Sequence, residues 1–129
     1  MTTTNGAGIV GVSTIGIPVE DQDRALAFYR DVLGLEVRVD APMPQLGGRW
    51  IMLAPVGAAV SVSLVIANES TPAGVETGIR FEAQDCDRAR DVLRAGGADV
   101  GEVLRWPGVP AMFAAHDPDG NRFEVVESA

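Results

Sequence analysis

The residue types best suited to chemistry gather near the C-terminus, where HDPDGNRFEVVE at 116–127 holds the sole histidine, His116, beside Asp117, Asp119, Glu124 and Glu127. An imidazole among carboxylates offers either the ligands of a divalent metal centre or the acid and base of a proton transfer. Which of them converge depends on strand parity, because successive side chains along a strand point to opposite faces. PDGN at 118–121 is turn chemistry: proline presets the first turn angle, while Gly120 and Asn121 tolerate positive φ. Asp117 and Asp119 are then expected to bond amides of their own turn, and His116 to close a strand, bonded to the turn or to water. Glu124 is left on the strand RFEVVE as the one carboxylate free to face a cavity. The single cysteine, Cys86, stands at a helix start between Asp85 and Asp87, whose charges oppose a thiolate, so an inert thiol is expected.

The elements that position these groups come in two copies. DQDRA at 21–25 returns 64 residues later as DCDRA at 85–89. A strand with period-2 apolar residues precedes each copy, TIGIPV at 14–19 and GIRFEA at 78–83. A helix follows each, with Asp23 and Asp87 as the expected caps. Leu26, Tyr29 and Leu33 fall on one face of the first helix, Ala89, Val92 and Leu93 on one face of the second, and Gly34 and Gly96 stand where each should stop. Three strand-like runs then follow each helix: 35–40, 49–54 and 60–66 in the first copy, 98–104, 110–115 and 122–127 in the second. Two copies are too few for a stacked solenoid. The expected fold is therefore α+β, a single domain over 1–129 made of two βαβββ modules at about 9–67 and 76–127, joined by a polar linker at about 68–75.

Composition narrows the function. A chain of 129 residues buries roughly two-thirds of its unfolded surface and needs no disulfide. One cysteine and a start, MTTTNGAG, without basic or long apolar character point to the cytoplasm. The apolar run at 51–67 is broken by Pro55 and Gly57 and reads as two strands and a turn, so no membrane span is expected. A net charge of −8 disfavours nucleic acid and leaves room for a cationic guest.

With IPVEDQDRALAFYRDVLGLEV at 17–37 and FAAHDPDGNRFEVVE at 113–127, in that order, the chain resembles the vicinal oxygen chelate superfamily of glyoxalase I, the bleomycin-resistance proteins and the extradiol dioxygenases. The likeness runs from Ile9 to Glu127. It implies modules whose curved mixed sheets make a cup around a cavity, often in a homodimer. It further implies, for the metalloenzymes, one divalent ion held from first and last strands. Those ligand positions fall here on Thr14, on the segment 61–64, on Gly78 and on Glu124, of which only Glu124 is a good ligand. One carboxylate does not hold an ion tightly, so neither metal nor other cofactor is expected.

Parity then sorts the faces. Ile15, Ile17 and Val19 should cover the first helix, leaving Thr14, Gly16 and Pro18 for the cup; Ile79 and Phe81 leave Gly78, Arg80 and Glu82; Phe123 and Val125 leave Arg122, Glu124 and Val126. Ser61, Ser63 and Val65, with Trp50, Met52 and Met112, share that inner face, and RWPGVP at 105–110 sets Trp106 at the rim. The candidate ligand-binding set is Thr14, Trp50, Met52, Ser63, Arg80, Trp106, Met112 and Glu124, a mixture of large apolar and few polar groups suited to a small-molecule pocket. Sequestration of an aromatic or cationic organic molecule in a metal-free cup is the leading expectation. The alternative is a lyase, isomerase or dioxygenase using Glu124 as general base, its pKa raised by Met52 and Met112, or as one metal ligand beside others from a partner chain. Arg80, on the same face, could instead simply neutralise Glu124.

Overall fold

A computed structural model describes residues 6–129. Its first module runs β1 (Thr14–Val19), α1 (Gln22–Ala27), β2 (Glu36–Met43), β3 (Gly48–Ala54) and β4 (Ser61–Ile66); its second runs β5 (Glu76–Ala83), α2 (Cys86–Ala95), β6 (Asp99–Val100), β7 (Met112–His116) and β8 (Arg122–Glu127). Helix α1 widens into a π-helical turn over Phe28–Val32 before Gly34. The helix caps differ from the sequence expectation. Asp21 and Asp85, two residues earlier than Asp23 and Asp87, accept from the amides of Arg24 and Arg88, each at 3.1 Å. A cap must lie outside the helix, and only Asp21 and Asp85 have the extended backbone this requires (φ −129° and −141°). Asp23 and Asp87 sit in the first turn, where their charge still favours the helix dipole.

Each module forms one mixed four-stranded sheet, in order β1-β4-β3-β2 and β5-β8-β7-β6, with the first and last strands parallel. The run expected at 98–104 shortens to Asp99–Val100 plus a lone bridge between Leu104 and Met112. Gly101 interrupts it, and a strand-interior glycine has no side chain to pack. Among the described residues the two sheets share no strand pairing, and β1 and β5 are edge strands.

Their helix-side faces share one core. Phe28 of the first module stacks on Phe123 of the second at 6.4 Å, and Phe81 meets Phe123 edge-on at 5.4 Å. A buried polar latch crosses the same junction. Tyr29 donates its hydroxyl to Asp117 (2.7 Å), and the Asn121 amide donates to Asp117 (3.0 Å) and to the Pro18 carbonyl (2.8 Å). Burial, then the charge of Asp117, pushes the Tyr29 phenol far above its ordinary pKa, so it stays a donor. Asp119 accepts from Glu20 N and from the Arg24 guanidinium. The opposite faces are left to solvent, exposing Thr14, Gly16, Trp50 and Val65 on the first sheet and Gly78 and Arg80 on the second.

At the end of α2 a methyl group on Gly96 would stand 2.5 Å from Val32 Cγ1, across the module junction. Its φ of −80° suits any residue, so the penalty is steric alone. Gly96→Ala is expected to lower stability by about 1–2 kcal/mol, and Val32→Ala in the same chain to restore part of it; urea melts of the double-mutant cycle measure both.

Candidate functional site

On the first sheet the inner face is built by three strands. Parallel pairing sets Thr14 level with Ser61 and Gly16 level with Ser63, and antiparallel pairing sets Met52 level with Ser63. Thr14 Oγ1 donates to the Ser61 carbonyl (3.2 Å) and lies 2.7 Å from Ser63 Oγ, which is left to donate to Thr14. Beside this hydroxyl pair stands Trp50, 44% exposed. Thr14, Trp50 and Ser63, with Leu46, Val65 and the linker's Thr71, line a cavity of about 410 Å³. That size is within the range of small-molecule sites.

One residue that sequence reasoning left unassigned holds this wall in place. Gln22, buried in the first turn of α1, donates to the carbonyls of Arg49 and Leu64 (2.8 Å each) and accepts from Arg49 N (2.9 Å). It pins the backbone next to Trp50. A glutamine behind an aspartate cap reads as surface, and no periodicity marks it as a clamp.

The second inner face is charged. A bulge in β5 makes Glu76 level with Arg122 and Arg80 level with Glu124, so four residues of β5 span two of β8. Gly78 takes the left-handed φ of +74° this needs, and Thr77 fills the gap by donating to Arg122 O (2.7 Å) and accepting from Ile79 N (3.1 Å). Arg80 Nε then lies 3.1 Å from one Glu124 oxygen and Arg122 Nη2 3.1 Å from the other. The second amino group of Arg122 pairs with Glu76. The amide of Gly78, then Arg122, holds the Glu76 carboxyl below its usual range, and Glu76 and Glu124 together raise the Arg122 pKa. The Arg80–Glu124 pair is as the sequence suggested. Arg122 was legible from its parity with Glu124, whereas Glu76 was hidden by the bulge.

Met112 and Ala114 share the parity of Glu124 on the neighbouring β7. Trp106 lies in the loop before β7, 60% exposed, and is not among the residues lining the Thr14–Trp50–Ser63 cavity. His116 faces Asp99 across the β6–β7 pair, its Nδ1 3.7 Å from the carboxylate. Glu82, placed by parity on the cup, borders instead a groove of about 480 Å³ on the helix side, between Val32, Val56, Phe81 and Val92.

The donor set does not fit a divalent cation. At the positions the resemblance assigns to metal ligands stand a threonine, the 61–64 segment, a glycine and Glu124, and both Glu124 oxygens are engaged by guanidinium groups. Among the described residues no three His, Cys, Asp or Glu side chains converge. Cys86 is fully buried, its sulfur 3.5 Å from the Ala111 carbonyl, and burial followed by the charge of Glu127 pushes the thiol pKa up. Iodoacetamide at neutral pH should therefore leave Cys86 unmodified in the native protein and alkylate it in urea, as read by intact mass. Modification of the folded chain at the rate of a free thiol would contradict this. Among the described residues no helix is long and apolar enough to cross a membrane.

A family model described as the Glyoxalase/Bleomycin resistance protein/Dioxygenase superfamily matches residues 11–125. The chain is 31% identical over 123 residues to the uncharacterized protein YetH of Bacillus subtilis (strain 168), across 90% of this chain and 97% of that one. Among solved structures it is similar to TnmS3, an antibiotic binding protein from Streptomyces sp. CB03234, with a TM-score of 0.83 at 28% identity over 96% of this chain and all of that one. It is likewise similar to a member of the same superfamily from Sphaerobacter thermophilus, with a TM-score of 0.78 at 32% identity over 93% and 98% of the two chains.

Proposed function

The chain belongs to the Glyoxalase/Bleomycin resistance protein/Dioxygenase superfamily, and from that premise we propose that it binds a small aromatic molecule on its inner sheet faces and holds it without making or breaking a bond. The observation that carries this reading is Trp50, a half-exposed indole beside the Thr14–Ser63 hydroxyl pair in a cavity of about 410 Å³. A planar guest stacked there would bury apolar surface on both partners, while the hydroxyls fix its orientation. TnmS3, described as an antibiotic binding protein, supports a binding role.

Both inner faces are open in a single chain and both flanking strands are sheet edges, which supports a homodimer in which each cup joins faces of two copies. A cytoplasmic setting suits the lone buried thiol. The residues proposed to take part are Thr14, Trp50, Met52 and Ser63 on one face and Arg80, Met112 and Glu124 on the other, with Trp106 in the loop before β7; of these, Thr14, Trp50 and Ser63 line the cavity.

The enzyme alternative asks Glu124 to act as a base. Each Glu124 oxygen already lies 3.1 Å from a guanidinium nitrogen, so taking a substrate proton would mean giving up one of these contacts. Incubation with a catechol or with a glutathione hemithioacetal, with and without added divalent ions, is therefore expected to return both compounds unchanged by mass. Turnover that Glu124→Gln abolishes would install the enzyme reading instead.

A further inference from the structure

We propose that the guest carries an oxyanion, such as a carboxylate, sulfonate or ionised phenol, and that Arg80 is the residue that reads it. The inference rests on the binding role proposed above and narrows its ligand class.

On the second inner face Glu124 is a poor anchor for a cation, since each of its oxygens already lies 3.1 Å from a guanidinium nitrogen. Its side chain is only 20% exposed, against 64% for Arg80. Arg122 has a carboxylate on each amino group, Glu76 on one and Glu124 on the other. Among the described residues Arg80 has only the Glu124 oxygen at its Nε, and that carboxylate is shared. Its amino groups make a single contact, Nη1 to the Gly78 carbonyl, at the 3.5 Å limit of a hydrogen bond. Among the described residues Arg80 is thus a half-compensated cation, offering N–H donors from an inner face on which Glu76 and Glu124 are already paired.

A guanidinium held at Nε has its Nη edge preorganised for an acceptor, and charge-assisted bonds to an oxyanion are the strong kind. The net charge of −8 pulls the other way. That field is screened beyond about 8 Å at physiological salt, so direct contact decides selectivity. In the dimer proposed above, the first face of the other copy would supply the complement, a neutral hydroxyl pair and an indole for the aromatic body.

Two probes with one aromatic body separate the effects: N-phenyl-1-naphthylamine, which is neutral, and 8-anilinonaphthalene-1-sulfonate, which adds the oxyanion. The wild type is expected to bind the sulfonate about tenfold tighter. Arg80→Gln should abolish that preference, whereas Arg94→Gln on α2, the same charge change elsewhere, should leave it intact. Glu124→Gln, which removes a shared anion from Arg80, should strengthen sulfonate binding. A missing preference, or one that survives Arg80→Gln, would overturn the inference while neutral-probe binding sensitive to Trp50→Ala leaves the binding role standing. Neutral-probe binding that is absent, or indifferent to Trp50→Ala, would remove the binding role itself and this inference with it.

Discussion

Replacing Asn121 with alanine is expected to destabilise the protein by about 3–5 kcal/mol, among the largest losses available to a single substitution in this fold. Asn121 is 1% exposed, and its amide serves four partners. It donates to the Pro18 carbonyl and to Asp117, and its oxygen accepts from the amides of Gly74 (2.9 Å) and Val75 (3.1 Å). Truncation strands these groups at a junction with little access to water, and each unsatisfied partner costs about 1–3 kcal/mol. Because Pro18 belongs to the first module, Gly74 and Val75 to the linker and Asp117 to the second, the loss falls on the docking of the modules. For a chain of this size each kcal/mol lowers the Tm by about 3–5 °C, so thermal melting should show a fall of at least about 10 °C. A melt within about 2 °C of wild type would mean that the turn does not latch the modules.

That latch also shows where the sequence stops being legible. Asp117 does bond its own turn, accepting from the amides of Asp119 and Asn121 at 2.9 Å, as turn chemistry dictates. What no local pattern reports is the hydroxyl of Tyr29, 88 residues away, on its other oxygen. Its spacing puts Tyr29 on the apolar face of the first helix, and the ring is indeed buried, while the partner of its hydroxyl is a tertiary fact. Strand parity did better on the faces: it placed Thr14, Trp50 and Ser63 around one cavity and Arg80 level with Glu124, because a period of two survives wherever a strand is unbroken. It lost Glu76 at the bulge, and Glu82 at an open edge. The helix caps were misplaced by two residues because DQD and DCD each offer two aspartates, and backbone dihedrals choose between them.

Trp50→Ala is expected to weaken binding of N-phenyl-1-naphthylamine at least about tenfold while changing stability by under about 1 kcal/mol. The asymmetry follows from exposure. With 44% of its surface open to solvent, the indole contributes modestly to the core, whereas a stacked guest would cover its free face. The backbone stays in place without the side chain, since Gln22 clamps Arg49 and β3 remains paired to β2 and β4. Isothermal titration and urea melts of the same variant measure the two halves. A large fall in stability with unchanged affinity would return Trp50 to a structural role.

The most direct test uses the Trp106→Phe variant, in which Trp50 is the remaining tryptophan and reports on its own surroundings. Titration with N-phenyl-1-naphthylamine should quench Trp50 emission saturably, in step with the rise in emission of the bound probe. Trp50 emission that stays unchanged while the probe binds and brightens would place the guest elsewhere, for instance in the groove on the helix side, and would contradict the assignment of the inner face as the binding site.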